Sequence, residues 1–126
     1  MPSHASTQTE NTLLHHLHAI GAGDIDAIMK DYAEEAVLCT PEGMLRGPDQ
    51  IRPMFEMVVT KVLPPGSTVK IVRQIVEGDL AYVVWSAESA SYTIPLGTDT
   101  FVMREGKIVT QTFAAQLEAV AGRERR

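Results

Sequence analysis

The stretch Gly23–Ile51, GDIDAIMKDYAEEAVLCTPEGMLRGPDQI, carries most of the signals that decide the fold. Asp24 is a favourable N-cap residue, so it predicts the start of a short helix. The apolar residues that follow it at helical spacing are Ile25, Ile28, Met29 and Tyr32. The apolar run Ala36–Thr40 then predicts a strand, which Pro41-Glu42-Gly43 closes as a turn. A helix and a strand therefore follow each other closely.

Two longer amphipathic helices are predicted on either side of this stretch. The first begins near Ser6–Thr9 and ends at Gly21, and its apolar stripe is Leu13, Leu17 and Ile20. The other follows Gly47-Pro48-Asp49 and has an apolar face made of Ile51, Met54, Phe55, Val58 and Val62. Pro53 lacks the backbone N–H that a helix interior needs, so this helix either starts late or is kinked.

The second half of the chain reads as four long strands separated by turn residues. They are predicted at Thr68–Glu77, Leu80–Tyr92, Thr98–Arg104 and Lys107–Leu117. Gly78-Asp79 and Glu105-Gly106 predict hairpin turns, and Pro95-Leu96-Gly97 predicts a break. Three helices followed by a meander indicate an α+β fold. We expect a cone-shaped curved antiparallel/mixed β-sheet with the three N-terminal helices on its concave face.

Length and composition exclude several classes of protein. A chain of 126 residues is expected to form one domain, 1–126, with loose tails at 1–8 and 119–126. The net charge of −5, with no basic stripe, argues against a nucleic-acid partner. Cys39 is the single cysteine, and we find no signal peptide and no apolar run long enough for a membrane. We therefore expect a cytoplasmic protein.

Two ionisable residues are candidates for chemistry. Asp99 alternates along its strand with Phe101 and Met103, so its carboxyl is expected on the apolar face, where desolvation raises the pKa. The alternative is a solvated aspartate at the rim of the sheet. His16 flanks the apolar stripe of the first helix and is either a hydrogen-bond donor to a cavity or a boundary histidine bonded to a carbonyl. His15 is expected on the opposite side.

The remaining candidates would line the space between the helices and the sheet. Gln111 interrupts an apolar strand, and a buried amide needs partners, for which Asp99 on the neighbouring strand is suitable. An outward-facing glutamine is the alternative. The large aromatic residues either fill the core or line a pocket, and they are Tyr32, Phe55, Trp85, Phe101 and Phe113. His15 and His18 have no third ligand at matching spacing, so we predict no metal and no cofactor.

Four motifs together resemble a known superfamily. They are AGDIDAI at 22–28, DYAEEAV at 31–37, GMLRGPDQI at 43–51 and DTF at 99–101. Their order, over roughly Asn11–Leu117, is similar to that of the nuclear-transport-factor-two-like superfamily. Within it the chain resembles the ketosteroid-isomerase and polyketide-cyclase (SnoaL-like) branch. The resemblance implies a cystatin-like α+β roll. The curved sheet itself predicts a small, mostly apolar pocket on its concave side and a homodimer through its exposed convex face.

The resemblance also implies roles for three positions. Ketosteroid isomerases hold a substrate oxygen with a tyrosine and a protonated aspartic acid, and a carboxylate base precedes a proline. Here the aspartic acid corresponds to Asp99, the tyrosine to His16 and the base to Thr40. Since a threonine is a poor base, two hypotheses stay open. One is an isomerase, cyclase or dehydratase acting on a small apolar carbonyl or hydroxyl compound. The other is a non-catalytic dimeric module that binds a ligand or a protein.

Overall fold

The structure is a computed structural model, and it describes residues 3–120. Its helices are α1 (His4–Ala22), α2 (Ile25–Met29) and α3 (Gly47–Met57), and a π-helical turn, Val58–Val62, extends α3. Its strands are β1 (Tyr32–Thr40), β2 (Gly43–Arg46), β3 (Thr68–Glu77), β4 (Leu80–Glu88), β5 (Tyr92–Arg104) and β6 (Lys107–Ala119). No helix within these residues has both the length and the apolar character needed to cross a bilayer.

Helix α1 begins earlier than the sequence predicts. The Ser3 side chain accepts a hydrogen bond from the backbone N–H of Ser6, which satisfies one of the unpaired donors of the first turn. The helix ends where Gly23 adopts φ 69°, a left-handed conformation that suits glycine. The expectation of a loose 1–8 tail is therefore wrong from His4 onward. At the other end β6 continues to Ala119, and residues 121–126 lie outside the described residues.

The segment after α2 differs from its prediction in two ways. Helix α2 stops at Met29, so Tyr32 is the first residue of β1 and not part of the helix. The apolar spacing of the short helix continued by chance into a strand. The short strand β2 was not predicted, and it pairs with β1 through the register Thr40↔Gly43 to Val37↔Arg46. A strand of four residues has too little alternation to be recognised.

Helix α3 contains Pro53 in its interior. It begins at Gly47 with Pro48 in its first turn, where a missing N–H costs nothing. The late start allowed for in the prediction is therefore wrong. Beyond Met57 the chain changes to the π-helical turn, in which Val59 and Val62 are buried. This irregular end brings the apolar side chains of the turn onto the sheet.

The six strands form one mixed sheet in the order β2-β1-β6-β5-β4-β3. β1 and β6 are parallel, and every other pairing is antiparallel. The predicted break at Pro95-Leu96-Gly97 is instead a register shift between Thr93 and Leu96 inside the continuous strand β5. The predicted strand Leu80–Tyr92 is correspondingly split, since β4 ends at Glu88 and Tyr92 starts β5.

The core lies between the helices and one face of the sheet. The largest buried apolar cluster joins α1, α2 and α3 to the strands, with members that include Leu13, Ile28, Ile51, Phe55, Ala81, Val83, Phe101 and Met103. The sheet is curved and does not close, so the helices cover its inner face. The predicted α+β class is confirmed.

Candidate functional site

Six side chains form a continuous hydrogen-bonded chain through the core, which we call the relay. In order they are Asp31, His16, Tyr32, Gln111, Asp99 and Trp85. The three in the middle are nearly inaccessible, with exposed fractions of 0% for His16, 5% for Tyr32 and 2% for Gln111. Asp99 and Trp85 are half-buried, so one end of the relay reaches the surface.

At its first end the relay is anchored on a carboxylate. Asp31 Oδ2 lies 3.0 Å from His16 Nδ1, and Asp31 Oδ1 lies 2.8 Å from Nδ1 of the half-exposed His15. Both histidines therefore reach the same carboxyl group, and the expectation that His15 points away from His16 is wrong. On the other side of its ring, His16 Nε2 lies 3.3 Å from Tyr32 Oη.

Toward its second end the relay reaches Asp99, which also bonds to the last member, Trp85. The Tyr32 hydroxyl donates to Gln111 Oε1 at 2.5 Å, and Gln111 Nε2 donates to Asp99 Oδ2 at 2.8 Å. The Trp85 indole N–H donates to Asp99 Oδ1 at 2.8 Å. Both carboxyl oxygens thus accept a hydrogen bond from a neutral donor. The predicted contact between Gln111 and Asp99 is present.

The backbone explains why these side chains meet. Asp99 shares the inner face of β5 with buried Phe101 and Met103, as the alternation predicts. Gln111 points inward on β6 because the register between β5 and β6 shifts at Val109, so that Ile108 is also buried. Without that shift, strict alternation would have placed Ile108 and Gln111 on opposite faces.

Aromatic rings enclose the middle of the relay. The His16 ring meets Tyr32, Phe55 and Phe101 edge to face, with centroid separations of 5.3, 5.7 and 5.8 Å. Of the other predicted lining residues, Phe113 is half-buried and lies directly opposite Asp99 in the β5–β6 register. The aromatic rings therefore surround the polar groups and keep water from the centre of the relay.

Thr40 lies apart from the relay. Its hydroxyl donates to the carbonyl of Gly43 and accepts from the backbone N–H of Glu42, closing the β1–β2 hairpin. Here Thr40 holds a turn.

Burial raises the pKa of two groups of the relay, the Asp99 carboxyl and the Tyr32 hydroxyl. Desolvation raises the pKa of Asp99, and the hydrogen bonds from Trp85 and Gln111, together with the charge of His16, oppose that rise. Desolvation also raises the pKa of Tyr32 well above its usual value, and the negative charges of Asp99 and Asp31 add to this effect. Asp99 is therefore an acid whose protonated form is favoured by its surroundings.

A protonated Asp99 could serve as a hydrogen-bond donor to a ligand. Both of its oxygens already accept from the protein, so its O–H would be directed away from Trp85 and Gln111. Among residues 3–120, no buried side-chain nitrogen or oxygen lacks a partner, and no three metal-ligating side chains cluster. The chemistry that the site offers is hydrogen bonding and proton transfer at the Asp99 end.

A surface cleft of about 460 Å³ lies elsewhere, between the loop after the π-helical turn and the β4–β5 connection. Pro64, Pro65, Glu88 and Thr93 are among its lining residues. None of the six relay residues lines it. We place the candidate site at Asp99 because the cleft lacks any comparable set of enclosed, ionisable side chains.

Sequence reasoning missed Asp31. Its carboxyl, in the turn between α2 and β1, belongs to the site only because His15 and His16 of α1 lie against it. An aspartate next to Lys30 after a short helix has the appearance of an ordinary surface residue. The one local hint is its position directly before Tyr32.

Comparison with known proteins gives a consistent family. The model of the SnoaL-like domain matches residues 13–111. No curated protein sequence matches the chain. Among solved structures, an NTF2-like protein of unknown function from Mesorhizobium loti is 20% identical, with a TM-score of 0.77, and the match covers 92% of this chain and 97% of that one.

Two further solved structures carry functional names. A putative ketosteroid isomerase from Kribbella flavida is 15% identical, with a TM-score of 0.71, over 94% of this chain and 87% of that one. An epoxide hydrolase of the LEH-like type from M. tuberculosis is 16% identical, with a TM-score of 0.70, over 87% of this chain and 84% of that one. At these identities the likeness extends to the fold alone.

Proposed function

The chain belongs to the SnoaL-like domain family, within the NTF2-like superfamily, and we propose that it binds a small apolar molecule through a carbonyl or hydroxyl oxygen at Asp99. The observation that carries this proposal is the enclosure of the Asp99 carboxyl. It lies half-buried on the inner face of the sheet, with a raised pKa and with both oxygens accepting bonds from Trp85 and Gln111. A neutral acid held in this way donates a hydrogen bond to oxygen.

The proposed chemistry is isomerisation, ring closure or dehydration, because each reaction develops charge on an oxygen atom. Asp99 would act as the donor or acid at that oxygen. The rings of Trp85 and Phe113, both half-buried beside Asp99, would contact the apolar part of the molecule. His16 is enclosed by Asp31 and Tyr32, so its contribution would pass through the relay and not through direct contact with the ligand.

Trp85 offers a direct test, since it is the single tryptophan and its N–H bonds to the proposed acid. Fused-ring phenols and ketones are titrated into the protein while its fluorescence is recorded. We expect a saturable change in the wild type and weaker binding in Asp99→Asn. Asp79→Asn, at the exposed β3–β4 turn, is the matched control and should bind as the wild type does. No response to any compound would contradict the proposal.

A non-catalytic binding module is the second candidate, and the engagement of Thr40 favours it. Because the hydroxyl of Thr40 closes a hairpin, this position supplies no base for removing a carbon-bound proton. Compounds that bind are incubated with the protein and followed for conversion. Turnover that is lost in Asp99→Asn supports the enzyme. Tight binding without turnover, unchanged by Asp99→Asn, supports the module.

We propose in addition that the chain forms a homodimer through the outer face of the sheet. Ile75 and Leu80 are exposed there by 44% and 41%, and Tyr82 lies directly opposite Ile75 in the β3–β4 pairing. Apolar side chains gathered on one exposed face are typical of an interaction surface. Light scattering at micromolar concentration should give twice the monomer mass of 13.8 kDa. A monomer at that concentration would contradict the dimer.

A further inference from the structure

We propose that Asp31 and His16 are positioning residues that give the relay one direction, so that every donor from His16 Nε2 through Tyr32 to Gln111 points toward Asp99. This inference rests on the proposed function, because it concerns how Asp99 presents its proton to a ligand. Its consequence is specific. When Asp99 is protonated, its O–H has no acceptor inside the relay and must face the half-buried, ligand side.

The first step concerns the protons on His16. Nδ1 faces a carboxylate oxygen of Asp31, which accepts, so Nδ1 carries a hydrogen. Tyr32 has one hydroxyl proton, and the 2.5 Å contact directs it to Gln111 Oε1. Tyr32 Oη therefore meets His16 Nε2 as an acceptor, and Nε2 also carries a hydrogen. The geometry thus assigns His16 as an imidazolium cation.

The second step concerns what balances this cation. A buried charge needs a paired and hydrogen-bonded counter-ion, and Asp31 provides it from a side chain that is only 9% exposed. His15 Nδ1 lies within hydrogen-bond distance of both oxygens of the same carboxyl group, from the surface. The aromatic neighbours of the His16 ring, Tyr32, Phe55 and Phe101, are neutral, while Asp99 acts on it through its charge.

The third step follows the direction of the bonds to Asp99. Because Gln111 uses its oxygen to accept from Tyr32, only its amide nitrogen is left for Asp99, and that group can only donate. Trp85 has a donor and no acceptor. Asp99 therefore accepts at both oxygens from the protein. The neutral acid then has to direct its O–H to a third position, which is where a ligand oxygen would lie.

The test uses nuclear magnetic resonance of the whole protein without any ligand. The ¹⁵N shifts of the His16 ring distinguish an imidazolium from either neutral tautomer, and the ¹³C shift of the Asp99 carboxyl reports its titration. We expect both ring nitrogens of His16 to show the protonated pattern at pH 7. Asp31→Asn should give a neutral His16 and shift the Asp99 titration upward, since the cation that opposes its rise is lost.

The control is His15→Gln, which alters the surface contact of Asp31 and leaves the relay intact. It should keep His16 protonated and leave the Asp99 titration where it is. If Asp31→Asn does not fold, Tyr32→Phe interrupts the relay at another point and should also move the Asp99 titration upward, because Gln111 is released.

Two results would overturn the inference. One is a neutral His16 in the wild type at pH 7, and the other is an Asp99 titration that is the same in the wild type, Asp31→Asn and Tyr32→Phe. Neither readout needs a ligand or turnover, so failure of the relay is distinguishable from failure of the proposed function. A protein that binds none of the compounds but shows a protonated His16 would contradict the proposed function and would still support the inferred direction of the relay.

Discussion

Trp85 and Gly97 lie directly opposite each other in the β4–β5 register, and the indole ring rests on the glycine backbone. A Cβ atom added at Gly97 would lie 2.3 Å from Cε2 of Trp85, far inside any real contact. The glycine therefore allows the ring to lie across the neighbouring strand. In that position its N–H reaches Asp99 two residues further along the same strand.

Gly97→Ala should displace the Trp85 ring and break its bond to Asp99. We expect a loss of about 1–3 kcal/mol in the free energy of unfolding, as for other overpacked positions, measured by urea titration. The tryptophan emission should change as well. Gly21→Ala is the matched control, because nothing lies within 4 Å of the added carbon and the site is helical. The control should be neutral or stabilising. Equal stabilities for the two variants would contradict the assigned role of Gly97.

Gln111→Leu should destabilise the protein by leaving the Tyr32 hydroxyl proton without its acceptor and Asp99 Oδ2 without its donor. Each unsatisfied buried group costs about 1–3 kcal/mol, so we expect a loss of that order in chemical denaturation. Losing this hydrogen bond should also raise the pKa of Asp99 further, since the bond favours the ionised form. Gln116→Leu, exposed on the same strand, should change stability by less than about 0.5 kcal/mol. Similar losses in the two variants would argue against a buried role for Gln111.

Asp99 should make stability depend on pH. Its pKa is raised in the folded protein, so the unfolded chain, with an aspartate pKa of about 3.9, loses its proton first. The stabilisation that the protonated Asp99 gives to the folded protein is fully present below about pH 3.9. It is lost as the pH rises through the pKa of Asp99 in the folded protein. The stability of the wild type should therefore fall relative to Asp99→Asn over that range, measured by denaturation at several pH values. Parallel profiles for the two proteins would show that Asp99 is not enclosed.

Tyr32 should resist ionisation in the folded protein. Desolvation, together with Asp99 and Asp31, raises its pKa, so the stabilising contribution is complete below about pH 10 and is lost as the pH rises through the folded value. Spectrophotometric titration should show one tyrosine of the three that ionises late, only on unfolding at high pH. Tyr32→Phe should remove that late component, and Tyr82→Phe should not. A late component that persists in Tyr32→Phe would belong to another residue.

The placement of the site on β5 was predictable because alternation is a local property. Successive side chains of a strand point to opposite faces, so residues two apart share a face. Once one of Asp99, Phe101 and Met103 points inward, the other two do as well. The long helices were predictable for a similar reason, since an apolar stripe repeats several times along each of them. The four long strands were found because each contains enough residues to show its period.

The rest depends on contacts that the sequence does not show locally. Tyr32 matched the helical spacing of Ile25 and Ile28. In the structure it belongs to β1, which is stabilised by pairing with β6, far along the chain. Pro95 suggested a break, but a register shift accommodated it within β5. Asp31 joins the site only once His15 and His16 of α1 lie against it. Such contacts have no signature in neighbouring residues.

The central claim is that Asp99 is an enclosed acid, and the ¹³C titration of its carboxyl group in the free protein tests it most directly. The signal is assigned by comparison with Asp99→Asn. We expect one aspartate that titrates clearly above the usual value of about 3.9. A carboxyl group at residue 99 that titrates at or below that value would contradict the claim, together with the ligand proposal that depends on it.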